Sequence, residues 1–199
     1  MQDNRWVMNR AGLVNFWYYD EETFDFSQGR LLLRGSNGSG KSVTMQSFIP
    51  LLLDGNKSPE RLDPFGSKAR KIENYILGED ENGKDESIGY LFMEFKKKHS
   101  NNIATIGMGF KANRGKPLKS WGFAITDGRR IGEDFFLYKQ MGEKIPLTMK
   151  ELENRIGAGG QVVEGQKTYM KLVNDLIFGF DDLDEYDELV KLLVQLRSP

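Results

Sequence analysis

The chain has 199 residues, with 28 basic and 29 acidic side chains, so its formal charge of −1 offers no global field to recruit nucleic acid. It contains no cysteine and a single histidine, His99, which excludes disulfides, thiolate zinc sites, thiol nucleophiles and multi-histidine metal sites. The length suits one large domain or two small ones; the start lacks an apolar signal core and no apolar run could span a bilayer, so the chain reads as soluble and cytoplasmic.

The amino-terminal stretch opens with two runs suited to strands. Gly12 to Tyr19 and Glu22 to Phe26 are aromatic and β-branched, and Asp20-Glu21 forms a tight turn between them. Phe16, Trp17 and Tyr18 read as core or sheet-face aromatics. The sharper alternative has one of them, Phe16 or Trp17 foremost, stacked on an adenine. The hairpin leads into Arg30-Leu31-Leu32-Leu33-Arg34, a short apolar run suited to a buried strand.

Next comes Gly35-Ser36-Asn37-Gly38-Ser39-Gly40-Lys41-Ser42, which fits G-x-x-x-x-G-K-[ST], the phosphate-binding loop. Glycines at this spacing let the backbone turn tightly and turn several N–H groups toward phosphate oxygens. Ser36, Asn37, Gly38, Ser39, Gly40, Lys41, Ser42 and Val43 are the expected phosphate-binding residues. Lys41 would reach the β- and γ-phosphates, and the Ser42 hydroxyl would ligate Mg²⁺. A helix is expected from Ser42 to Leu53, its positive end facing the same anion. Pro50 predicts a kink or an early end, and Asp54-Gly55 a stop. The expected ligands are therefore ATP and Mg²⁺.

Gly55 to Lys71 is a polar loop with Pro59 and Pro64 and a basic patch at Lys68, Arg70 and Lys71. A short helix is predicted over Ile72 to Leu77, and the acidic Glu79 to Glu86 reads as a solvated turn. Ile88 to Phe95, Ile103 to Phe110 and Ser120 to Thr126 predict an antiparallel meander closed by the turn Asp127-Gly128. From Glu94 to Arg130 there are nine Lys and Arg against two acids, 9 − 2 = +7. Most such runs are solvated hairpin ends. The alternative is a DNA-backbone contact through Lys96, Lys97, Lys98, Lys111, Arg114 and Lys116.

The last third is predicted to be helical. Thr148-Met149-Lys150-Glu151 fits a capping box, and Gly157 to Gly160 ends that helix. Thr168 to Phe178 has helical spacing, and six acids from Asp181 to Glu188 lead into a final helix, Leu189 to Leu196. Two stretches echo other ATPase motifs. Ala158-Gly159-Gly160-Gln161 lacks the serine of an ABC signature, and Leu176 to Asp182 would need to be a strand where the spacing reads as helix. The chain thus carries half a catalytic site and no catalytic residue of its own.

From Arg10 to Ser42 the sequence resembles the amino-terminal head segment of SMC-like ATPases, whose hairpin precedes a GxNGSGKS loop. Arg61 to Ser67, Tyr75 to Glu79 and Leu192 to Pro199 resemble the MukB/MksB-type branch, closest to the SMC-like subunit of Wadjet plasmid-defence systems (the JetC family). The resemblance implies an α/β P-loop NTPase half-head with a mixed sheet, an antiparallel β-lobe and C-terminal helices. Within 1–199 it implies a hairpin, loop and first helix over 1–55, a β-rich lobe over 56–147, and a helical part over 148–199 leading toward a coiled coil. It further implies that a carboxy-terminal half completes the head. Other implied partners are a second head bound through ATP, kleisin-like and accessory subunits, and DNA, in plasmid defence or chromosome maintenance. Lys41 and Ser42 carry over from the family. A glutamine sensing Mg²⁺ would be Gln195, with Gln140 in reserve, and a basic residue near the nucleotide would be Lys68 or Arg70. Two rival readings are a stand-alone nucleotide-binding regulatory module without a DNA role and a complete small ABC-type ATPase.

Overall fold

A computed structural model describes residues 4–16, 19–27, 30–31, 48–58, 71–78 and 83–197, with backbone alone at 19, 27, 30–31 and 193–197. Its centre is a strand whose two faces are both apolar. In Glu86–Lys97 (β4), Tyr90 and Phe92 point to one side of the sheet while Leu91, Met93 and Phe95 point to the other. A strand buried on both faces loses the polar alternation of a surface strand. Trp6–Phe16 (β1) and Ile103–Asn113 (β5) flank it antiparallel.

Tyr19–Ser27 (β2) and Arg30–Leu31 (β3) extend the sheet beyond β1, and Lys119–Ile125 (β6) extends it beyond β5. Two further strands, Tyr138–Met141 (β7) and Glu143–Pro146 (β8), form a separate hairpin. Gly160–Val163 (β9) pairs with β6 and gives the sheet order β3-β2-β1-β4-β5-β6-β9. Every pairing between these strands is antiparallel. The expected mixed sheet is therefore not seen among the described residues.

Aromatic rings of β6 lie across glycines of β5. A Cβ on Gly107 would stand 2.3 Å from Phe123 Cζ, and one on Gly109 would stand 2.3 Å from Trp121 Nε1. Such contacts forbid any side chain at these two positions and let the large rings pack flat on the sheet. Asn15, at φ 50°, breaks the alternation of β1, so that Leu13 and Phe16 both join the same core layer. Its amide donates to Ser87 Oγ and Ile88 O, each at 2.8 Å, which holds the irregularity in place.

Helices cover the face that carries Leu91. They are α1 (48–54), Ile72–Leu77 (α2), Gln166–Val173 (α4) and Leu183–Arg197 (α5). The opposite face is covered by residues 131–156, which include the hairpin and Met149–Ile156 (α3). The capping box at Thr148 and Glu151 is formed. α1 does not end at Pro50. It runs on to Asp54, because burial of Leu51, Leu52 and Leu53 offsets the missing N–H, and Gly55 closes it by donating to Leu51 O at 2.7 Å. The glycine stop after α3 is followed by a strand, because the edge of β6 offers an open ladder. The helical pattern from Thr168 tightens into α4 and then widens into a π-helical turn, Asn174–Phe178.

Candidate functional site

The phosphate-loop pattern lies between β3 and α1. Ser36, Asn37, Gly38, Ser39, Gly40, Lys41, Ser42 and Val43 lie outside the described residues, as do Trp17, Lys68 and Arg70. The structure does describe how the end of α1 is held. Tyr169 on α4 donates its hydroxyl to Leu52 O, and Tyr186 on α5 donates to Leu53 O. A helix leaves its last carbonyls without intrahelical partners, and here two buried phenols supply them. Asp54 is 1% exposed beside them. Burial raises both tyrosines' pKa values, and the Asp54 carboxylate adds to the rise, so both phenols stay protonated donors. The helix that follows the loop in sequence is thereby bound to the two last helices.

Phe16 is 1% exposed, stacked on Tyr75 at 5.5 Å and edge-on to Phe48 at 4.9 Å. With its surroundings taken by core rings it has no face for a base, and the adenine reading of Phe16 is corrected to a core aromatic. Gln195 lies in α5, described by backbone alone, whereas Gln140 is exposed on β7, across the sheet from α1. The signature echo at Ala158 to Gln161 is a 3-10 turn followed by an edge strand. Leu176 to Phe178 is a π-helical turn, so Asp181 and Asp182 do not end a strand. Among the described residues no cluster of acids and histidine is placed to hold a metal.

The basic run does not form one surface. Lys96, Lys97 and Lys98 sit where β4 turns into β5, and Lys111, Arg114 and Lys116 sit where β5 turns into β6. The length of β5 separates them, roughly 30 Å at about 3.3 Å per residue. At the first end several of the cations are already engaged. Lys97 lies 4.6 Å over the Trp6 ring, and Lys98 also has a partner. Arg129 donates to Asp127 Oδ2 at 2.7 Å, and Arg130 turns inward. At the second end Lys111 pairs with Glu86 at 3.0 Å and Arg114 with Asp85 at 3.2 Å.

Arg130 turns toward Glu94, one of the two acids within the basic run. Glu94 is 0% exposed, and its two oxygens accept from both Arg10 and Arg130 at 2.8–3.1 Å. Asn9 adds a third donor at 2.7 Å. Burial alone would raise the carboxyl's pKa, but the guanidinium of Arg130, then that of Arg10, holds it down to about 2. Arg10 also donates to Ile131 O at 2.9 Å, which fastens the 131–156 segment to β1 and β4. The only sequence signal for this cluster was a glutamate at an inward position of a core strand.

The chain matches no known family profile. It is 24% identical over 204 residues to the DNA replication and repair protein RecF of Carboxydothermus hydrogenoformans. The match takes in 85% of this chain and 57% of that protein, so the chain spans little more than half of its relative. No described helix is long and apolar enough to cross a membrane.

Proposed function

We propose that this chain is the ATP-binding amino-terminal lobe of an SMC-like ATPase head. The observation that carries the reading is the loop Gly35 to Ser42, with an apolar run before it and a helix after it. The similarity to a protein of DNA replication and repair supports the same class, and an antiparallel β-lobe flanked by helices is compatible with it.

Lys41 supplies a charge toward the β- and γ-phosphates, and the Ser42 hydroxyl supplies a ligand to Mg²⁺. The main-chain N–H groups of Ser36 to Val43 would surround the phosphates. Hydrolysis needs an oriented water and a base, which the reading assigns to a carboxy-terminal lobe and a second head joined through ATP. Head closure on ATP and release on hydrolysis would then drive movement on DNA together with kleisin-like and accessory subunits. Within that class the reading favours the MukB/MksB-type branch and the Wadjet plasmid-defence subunit.

The test is Lys41→Ala. Removing the ammonium should abolish ATP binding in calorimetry while the urea-unfolding curve stays in place. Unchanged ATP affinity in a folded variant overturns the assignment.

A further inference from the structure

We propose that Lys111, Lys119 and Lys150 form a contact for the phosphate groups of a duplex DNA backbone. This rests on the DNA-associated reading above and narrows it to one place on the molecule. The three lysines come from β5, β6 and α3, and they line one cleft of about 510 Å³. Lys111 and Lys119 belong to the basic run, and the fold brings Lys150 to them from outside it.

Two features of this arrangement run against simple electrostatics, although Glu86 already pairs with Lys111 at 3.0 Å. Lys111 and Lys119 stand opposite one another in the β5–β6 register. Like charges so placed repel across the ladder. Lys150 lies in the first turn of α3, where the helix macrodipole favours an anion. The start of α3 is already satisfied, since Thr148 and Glu151 close the capping box. Places where a chain departs from such local rules are where function is to be sought. Glu86 offsets the charge of Lys111, and a phosphate at Lys119 and Lys150 would offset the charges that remain.

The charge of the cleft has this sign once its acids are counted. Glu164 lines the cleft and Glu86 pairs with Lys111, so three lysines face two acids and 3 − 2 = +1. Lys57 donates to Ser120 Oγ on the cleft wall at 2.7 Å and Glu151 accepts from Thr148 N at 3.1 Å, so these two cancel and the sum stays at +1. Exposed Arg114 and Lys116 continue the positive rim at the adjoining turn, with Asp85 paired to Arg114. A rim that continues past the cleft suits an extended polyanion rather than a single phosphate. The opposite end of β5 also carries cations, but there Lys97 lies over the Trp6 ring, Arg129 pairs with Asp127 and Arg130 turns inward to the buried Glu94.

The experiment reverses Lys119 and Lys150 together (K119E/K150E) in the full protein and follows anisotropy of a labelled short duplex against salt. K97E/K98E, at the other end of β5, is the comparison. The expected result for K119E/K150E is at least about a tenfold loss at low salt and a log–log salt slope shallower by about 2, one phosphate per lysine at about 0.9 each. K97E/K98E should keep the wild-type slope, and the milder K119Q/K150Q should flatten it without adding acids. ATP affinity, unchanged in all variants, checks that they are folded. Wild-type affinity and slope in K119E/K150E and K119Q/K150Q would overturn the proposal. So would protection of Lys119 and Lys150 from amine acetylation by inorganic phosphate but not by duplex, which would mark a free-phosphate site. A wild-type protein that binds no duplex at any salt would instead sink the DNA reading itself.

Discussion

Replacing Glu94 by Gln should remove one of the larger single contributions to stability in this chain. The side chain is wholly buried, and Arg10, whose own side chain is only 11% exposed, would be left facing an amide. Arg130, at 30%, can turn to water, so Arg10 is the stranded charge. Removing one partner of a buried ion pair costs about 3–5 kcal/mol. Linkage gives a similar figure. A carboxyl held at about 2 rather than its ordinary 4.5 contributes about 3 kcal/mol above the unfolded pKa. Because the folded value is the lower one, that stability is present above about pH 4.5 and is lost as pH falls toward about 2. Urea unfolding near neutral pH should therefore place Glu94→Gln about 3 kcal/mol below wild type. The gap should narrow as the solution is acidified, because a protonated Glu94 then resembles the glutamine. Adding Arg10→Met should recover part of the loss by removing the stranded charge. A Glu94→Gln protein within about 1 kcal/mol of wild type, with a parallel pH profile, would refute the argument.

Tyr169→Phe and Tyr186→Phe should each cost about 1–2 kcal/mol in urea unfolding, since each leaves a buried carbonyl of α1 without its donor. If neither costs more than a few tenths, packing alone holds that helix end. The purified chain should turn over ATP at less than about 1 s⁻¹, the low end for phosphoryl-transfer enzymes. Faster hydrolysis would bring Asp181 and Asp182 back as metal ligands.

Local chemistry alone made much of this protein legible. The first hairpin, the meander from Ile88 to Thr126 and the capping box at Thr148 all rest on residues a few positions apart, where propensity and periodicity act. Asp20 and Glu21, expected in the hairpin turn, nevertheless lie within β2 because Phe16 pairs with Tyr19. The sequence spoke less clearly where elements distant in the chain meet. The two apolar faces of β4 do not say which segment covers each one. The strand Gly160–Val163 forms because the edge of β6 is open to it, and its glycines by themselves signalled a stop. Adjacency in sequence misled for the lysines. Lys96 to Lys98 and Lys111 to Lys116 are separated by the length of β5, while Lys119 and Lys150 line one cleft. Glu94 counted in the sequence only as one of two acids in a basic stretch, and its burial follows from β1 and the segment around Arg130 closing over it. Register and sheet order determine such juxtapositions, and both are settled only when the whole core packs, because burial and ion pairing act between atoms that meet in space.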